Sequence, residues 1–220
     1  MWVAAHQPQF LPWPGFWAKA DVVSHLVLMS GVQYDKGQVS NRVRLDGQWM
    51  TLPVQHTLTS QLSEVRFDPR HLRKITSTIR QTLMSGKNKY GGRLERVITV
   101  LEETGSLGNL TTLNVALIEC VADMLGIRAR ITHDSNPLIG EGKTARLEEF
   151  LIRNIPESSK GRATYLSGMG GKEYLEAFSK FDTRYCTGVW EDCSILQLIA
   201  RNEDPLSIVR STSQFINPLE

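Results

Sequence analysis

Residues 111–133, TTLNVALIECVADMLGIRARITH, decide the fold class. Thr111–Leu125 reads as a helix, Gly126 is a stop signal, and Arg128–His133 follows as a strand. A helix delivered straight into a strand is the unit of α/β layering. Working back toward the start, Arg93–Glu103 reads as another helix, and Asp68-Pro69 forms a cap and first-turn pair opening one over residues 69–84. In that segment Leu72, Ile75, Ile79 and Leu83 share one face at about 100° per residue, with Arg70, Arg73, Lys74 and Arg80 opposite. Ser63–Phe67 reads as a strand, and Val39–Leu45 and Trp49–Val54 as a hairpin turning at Asp46-Gly47. His25–Met29 is an apolar strand. Trp2–Ala5 is another, running into His6-Gln7-Pro8, and Pro8, Pro12 and Pro14 bar a regular helix until about Ala18–Val23.

Toward the other end, Thr144–Ile155 is amphipathic, and Ala163–Ser167 is a strand ending in Gly168-Met169-Gly170-Gly171 with a helix over about Lys172–Phe181. Tyr185–Trp190 reads as the last strand and Ile195–Ala200 as a late helix. The expectation is one α/β domain over residues 1–220, a mixed sheet flanked by helices with a hairpin-rich N-terminal third.

Composition fits that class: 220 residues, 41% hydrophobic and 22% charged, long enough to bury a core without metal or disulfide staples. No apolar run reaches the ~18–20 residues of a membrane span, and the start lacks signal-peptide features, so a cytoplasmic location is expected. Cys120, Cys186 and Cys193 make an odd count without a CxxC pair, and the five histidines lack HxH and HExxH spacing; free thiols and no metal site are expected. The net charge of +2 conceals a basic segment, residues 35–98, with 12 Lys or Arg against 5 Asp or Glu, and an acidic one, residues 99–220, with 12 against 17. The basic segment suits an anionic ligand such as a nucleotide sugar, a phosphate or a nucleic acid, and equally a solvated surface.

Three stretches carry chemistry. His6 leaves a strand into a rigid aromatic loop, where an imidazole can act as a base, nucleophile or phosphate contact; with Gln7 it can equally satisfy buried backbone groups beneath Trp13 and Trp17. Gln33, Asp35, Lys36, Asn41 and Arg42 present amides and charges able to orient a sugar, carboxylate or phosphate, or to form a charged loop beside a guarded edge strand. Tyr165-Leu166-Ser167-Gly168, with the glycines after it, is a strand running into a loop whose amides can approach an anion, or a plain turn. It has neither GxxxxGK[ST] nor GxGxxG spacing, and Ser167 sits in no GxSxG elbow.

Together these stretches resemble the WbqC-like family. His6-Gln7-Pro8-Gln9-Phe10-Leu11-Pro12-Trp13-Pro14-Gly15-Phe16 is similar to its HQPxYLPWxGF opening, with Phe10 for the tyrosine. Ala20-Asp21-Val22-Val23 resembles ADVFV; Val32-Gln33-Tyr34 with Lys36 resembles VQF and its lysine; Asn41-Arg42-Val43-Arg44 resembles NRNRI. Trp49-Met50-Thr51-Leu52-Pro53-Val54 is similar to WLTVPV, and Tyr165-Leu166-Ser167-Gly168 with Tyr174-Leu175 to the YLSG and YL pair, all in the family's order. Two positions depart: Met29-Ser30-Gly31 stands where the family has an acidic residue before VQF, and Leu206-Ser207-Ile208-Val209-Arg210 lacks the aspartate ending LSIID.

The family occurs among surface-polysaccharide gene sets such as those for O-antigen, and transfer of glycine or another amino acid to sugar has been suggested for some members. The resemblance therefore implies a transferase moving an acyl or aminoacyl group onto an activated sugar or similar small anionic substrate. It implies His6 as proton acceptor, with Gln7, Gln33, Lys36, Asn41, Arg42, Tyr165, Ser167 and Gly168 binding substrate. No cofactor is indicated. The alternatives are a nucleic-acid-binding or DNA base-modifying protein using residues 35–98, and a partner-binding protein using the aromatic loop Phe10–Trp17. There is also a fainter likeness to nucleotidyltransferases, with Arg210-Ser211-Thr212-Ser213 as the phosphate cluster but without the paired-histidine HxGH spacing.

Overall fold

A computed structural model describes residues 1–86, 88–172 and 178–216. β1 (Trp2–His6) leads through α1 (Pro14–Val22) to β2 (His25–Met29), and a separate hairpin follows, β3 (Arg42–Leu45) with β4 (Gln48–Thr51). Three helices come next, α2 (Leu72–Leu83), α3 (Glu95–Glu103) and α4 (Leu110–Leu125), before β5 (Arg130–Asp134), α5 (Gly142–Asn154), β6 (Thr164–Gly168) and β7 (Asp182–Gly188). α6 (Ile195–Arg201), α7 (Pro205–Ser211) and β8 (Ser213–Ile216) close the described chain. The main sheet has the order β5-β2-β1-β6-β7-β8, parallel except for β8, which runs antiparallel to β7. The fold is α/β around a six-stranded mixed sheet.

The central strands are apolar throughout because helices cover both faces. Val3, Ala5, Val27, Tyr165 and Tyr185 pack against Leu147, Phe150 and Leu151 of α5. Ala4, Leu26, Leu28, Leu166 and Cys186 face the other way, into the larger core shared with α1, the hairpin, α2–α4, α6 and α7. The chain builds outward from β1 to β2 and β5, then returns to β1's other side to lay down β6 and β7. The sheet therefore changes direction between β1 and β6, the position where doubly wound sheets hold their ligands. Only Trp2↔Thr164 and Val3↔Tyr165 pair across that junction, whereas β1 and β2 pair through His6↔Leu28. Beyond Val3 the two strands part.

Local rules account for most elements. Asp46 and Gly47 have φ of 49° and 76°, the left-handed pair of a two-residue hairpin turn, and the Asp46 amide donates to Gln197 Oε1 at 2.5 Å. Asp68 caps the 3₁₀ turn before α2 by accepting from the Arg70 amide at 2.9 Å, and Asn109 caps α4 by accepting from Thr112 at 2.8 Å.

Several expectations are corrected. Ser63–Phe67 is no strand: residues Leu62–Glu64 form a 3₁₀ turn, and Arg66 makes only isolated bridges to Gln55 and Asn109. α1 starts at Pro14, since a proline at the first helical position lacks only an amide the helix does not use. The hairpin begins at Arg42 rather than Val39. β7 is followed by a further strand, β8, and α7 opens on an Asp204-Pro205 cap. Of the helix expected over Lys172–Phe181, residues 173–177, including Tyr174-Leu175, lie outside the described residues, and Phe178–Phe181 are not helical. Among the described residues no helix is long and apolar enough to cross a membrane.

The loops after β1 and β2 are joined by one side chain. Asn114, fully buried on α4, donates from Nδ2 to the Pro8 carbonyl at 2.9 Å and to the Ser40 carbonyl at 2.7 Å. Asn114→Asp replaces the donating amide with an acceptor-only carboxylate and strands both carbonyls. It is expected to cost about 2–4 kcal/mol in urea unfolding; a change within about 0.5 kcal/mol would refute the clamp.

Candidate functional site

Where β1 and β6 part, a cleft of about 590 Å³ opens at the C-terminal ends of the parallel strands. Ala5, His6 and Gln7 come from β1 and its exit, Met29 from β2, and Tyr165, Ser167 and Gly168 from β6. Gly170 and Gly171 form part of a 3₁₀ turn beyond Gly168. Lys143 and Leu147 come from the start of α5, Asp35, Gln38, Val39 and Ser40 from the loop after β2, and Lys19 from α1.

His6 is the last residue of β1, and its ring packs edge-on against Phe16 with centroids 5.0 Å apart. Nδ1 stands 3.1 Å from the Gln7 carbonyl oxygen, so Nδ1–H is the donor and Nε2 keeps its lone pair. Burial, and secondarily the charge of Lys19, lower its pKa from 6.5 to about 3, the Gln7 hydrogen bond opposing them. The imidazole is neutral at physiological pH.

Lys19 is the residue that sequence reasoning passed over. It lies within α1, a helix otherwise almost wholly apolar on its buried side, and is only 8% exposed. Burial lowers its pKa from 10.5 to about 8, opposed by Cys186. It therefore remains mainly cationic at neutral pH, and no carboxylate contributes to its shift. Its Nζ lies 3.9 Å from where a Cβ on Gly168 would stand, which sets the cation against the glycine loop. Cys186 pairs with Gly168 across β6 and β7 and faces the larger core; burial pushes its thiol up to about 11, so it is a neutral thiol rather than a nucleophile.

Of the expected site residues, His6, Gln7, Tyr165, Ser167 and Gly168 meet in this cleft. Ser167 Oγ donates to the Gly168 carbonyl at 2.9 Å, and Tyr165 packs on Phe178 with centroids 5.3 Å apart. The others lie elsewhere. Gln33 donates to the Leu58 carbonyl and lines a separate groove with Gly31 and Arg146. Lys36 is exposed on the loop that carries Gln38 and Ser40. Asn41 is buried and donates to the Leu52 carbonyl at 2.9 Å, closing the base of the hairpin. Arg42 stacks over Trp49, 4.4 Å from its centroid, and lines a smaller apolar cavity next to the cleft.

The aromatic loop is chiefly core: Phe10, Phe16 and Trp17 are at most 1% exposed, while Trp13 is 38% exposed. Leu11 takes a left-handed backbone (φ 50°), anchored by Ser194 Oγ, which donates to its carbonyl at 3.0 Å. The late cluster is used internally. Arg210, standing where the family has aspartate, makes a bidentate pair with Asp21 at 2.7 Å; Ser211, Thr212 and Ser213 all donate to carbonyls of residues 208–209.

Comparison with known proteins agrees with the motif reading. The model of the WbqC-like protein family matches residues 7–209. The uncharacterized protein Rv1507c of Mycobacterium tuberculosis is 24% identical over 181 residues, which cover 79% of this chain and 75% of that protein. No solved structure matches the chain.

The lowered pKa of His6 gives a signed effect on stability. The unfolded chain protonates this residue near pH 6.5 and the folded chain near pH 3. Stability is thus full above 6.5 and falls as pH drops toward 3, by up to ~1.4 kcal/mol per pH unit for one proton. Urea unfolding between pH 7 and 4 is expected to show a shallower loss in His6→Gln than in the unsubstituted chain. Equal slopes would show that His6 does not titrate as described.

Proposed function

The chain belongs to the WbqC-like protein family, and from that premise we propose that it is a cytoplasmic transferase moving an acyl or aminoacyl group onto an activated sugar or similar small anionic substrate, in surface-polysaccharide biosynthesis. The observation that carries this reading is the pairing of a neutral His6 with the buried cation Lys19 at the point where the sheet changes direction. A phosphate-bearing substrate complements Lys19, the amides around Gly170-Gly171 and the opening turn of α5. Gln7 and Ser167 add hydrogen-bonding groups along the same walls.

His6 Nε2 is the proton acceptor. The acceptor's amine or hydroxyl forms the new bond to the donor's carbonyl carbon, its proton passes to Nε2, and the donor's leaving group departs with the electron pair of the broken bond. A pKa of about 3 is low for this work, and substrate binding corrects part of it. An anion paired with Lys19 offsets the second cause of the depression, so His6 becomes more basic when the phosphate is seated.

The alternative, nucleic-acid binding or base modification through residues 35–98, draws on Arg73 and Lys74, exposed on α2. Arg70 on the same segment is already paired with Asp68, and Arg80 with Glu95 and Glu102.

A thermal-shift screen separates these readings. Nucleotide sugars are expected to raise the Tm, and Lys19→Met to remove the rise. With a donor and acceptor identified, His6→Ala is expected to lower kcat by about 10²–10⁴-fold. A shift produced by DNA alone and lost at high salt would favour the alternative. Unchanged turnover in His6→Ala would remove the catalytic assignment.

A further inference from the structure

A groove of about 650 Å³ runs between the hairpin and α2 and shares no lining residue with the cleft. One wall is the unbroken run Gln48–Thr51, the whole of β4. The other is a single helical face formed by Lys74, Ile75, Thr78 and Thr82 of α2 with His71 just before it. Met50 belongs to the buried side of β4 and Trp49 and Thr51 to its exposed side. Because both sides line the groove, it is the edge of the strand that faces α2.

That edge is unpaired. Leu45 and Gln48 flank the two-residue turn, and the Leu52 amide donates to the Asn41 carbonyl at 2.8 Å, which fixes the alternation of the ladder. Val43 and Met50 exchange hydrogen bonds, whereas Arg44 and Trp49, and Arg42 and Thr51, are opposed without them. The amides and carbonyls of Trp49 and Thr51 therefore point away from β3, into the groove. Among the described residues no other backbone pairs with them. Pro53, the next outward position, has no N–H and ends the run of donors. The hairpin's opposite edge is closed by the chain itself, since the Arg44 carbonyl accepts from the Ser194 amide at 2.9 Å.

Length and charge narrow the occupant. From His71 to Thr82 the helical wall rises roughly 16 Å, the reach of about five extended residues. Leu45, Met50 and Ile75 are buried and give the groove apolar ground. Lys74 is exposed and makes no ion pair among the described residues, and Arg73 beside it is exposed as well. The carboxylate in the lining, Asp46, is already held by Arg201 at 3.1 Å. A second copy pairing edge to edge brings its own Arg73 and Lys74 to the same place, whereas an acidic strand meets these cations with opposite charge.

We propose that this groove is a docking site for an extended acidic segment of a partner protein, which adds to β4 as a further strand. Main-chain bonds to Trp49 and Thr51 hold it, an apolar side chain rests over Met50 and Ile75, and its carboxylates face Lys74. The site is independent of the transferase reading, because the cleft and the groove have no residue in common.

The probe is a blocked, fluorescently labelled peptide of about seven residues alternating glutamate and valine, long enough to fill the edge. Titrated with the full chain and followed by anisotropy, it is expected to bind saturably. A counterpart with lysine for every glutamate, and Lys74→Glu against the original peptide, are each expected to bind at least about tenfold more weakly. Thr51→Pro removes one outward N–H and spares the ladder to β3, and is expected to weaken the peptide at least about tenfold with its Tm preserved. In the unsubstituted chain, saturating peptide is expected to slow hydrogen exchange at the Trp49 and Thr51 amides at least about tenfold, which gives the answer if that variant does not fold. No saturable binding, a lysine peptide as strong as the glutamate one, affinity unchanged in folded Thr51→Pro, or unchanged exchange at both amides would overturn the site. A dimer in sedimentation that Thr51→Pro dissolves would assign the edge to a second copy instead. A DNA oligonucleotide that displaces the peptide and protects neither amide would assign Lys74 to nucleic acid, and either result overturns the proposal.

Discussion

A single buried carboxamide holds the working end of this protein together. Asn114 reaches from α4 to the carbonyls of Pro8 and Ser40, which belong to loops leaving two adjacent strands. Neither loop has regular structure of its own, and two prolines in the first, Pro8 and Pro12, remove amides that could otherwise pair elsewhere. A second brace comes from the other side, where the Phe10 amide donates to the Val39 carbonyl at 3.0 Å. His6, Gln7 and Gln9 on one side, and Gln38, Val39 and Ser40 on the other, are in register because these few bonds fix the separation of the loops.

That rigid frame explains how an uncompensated charge survives in the interior. A lysine with 8% exposure costs desolvation energy, visible as its lowered pKa, and among the described residues no carboxylate offsets that shift. The same burial that weakens Lys19 as a cation keeps competing water from whatever anion meets it, so the charge acts at short range and in low dielectric. His6 shares the environment and stays neutral. The two groups are opposite answers to one condition: the imidazole can shed its proton at neutral pH, and the ammonium largely cannot.

Local signals made the sheet legible and left its edges obscure. The run from α4 through Gly126 to β5, and the Asp46-Gly47 turn, followed rules that depend on near neighbours only. Ser63–Phe67 has the alternation of a strand, but no extended partner lies beside it, and pairing is a tertiary fact that sequence pattern does not contain. β8 is half polar and forms an exposed edge against β7, so it lacks the apolar signature that marks inner strands. α7 was readable, since Asp204-Pro205 repeats the cap of Asp68-Pro69. Within the site, the strand-end residues His6, Gln7, Tyr165, Ser167 and Gly168 were found because they sit beside motifs. Lys19 lies mid-helix, its only signal being a lone charge among Phe16, Trp17, Ala18 and Ala20. Gln33, Asn41 and Arg42 were grouped by nearness in sequence, which the hairpin and its flanking loops separate in space.

The strand order also has a consequence for the birth of the chain. β1 leaves the ribosome before every other strand of this sheet and lies at the centre of the finished one, yet its second neighbour, β6, is 158 residues further along. Until residues 164–168 emerge, β1 can pair only with β2, which β5 flanks on its far side, and an apolar Trp-Val-Ala-Ala edge stands open with its amides and carbonyls unpaired. At ~5–20 residues per second, elongation keeps that edge available for roughly 8–30 seconds after β1 is synthesised. A truncated product ending before β6 carries the same open edge permanently, so for this protein synthesis is safest when the second half follows the first without delay.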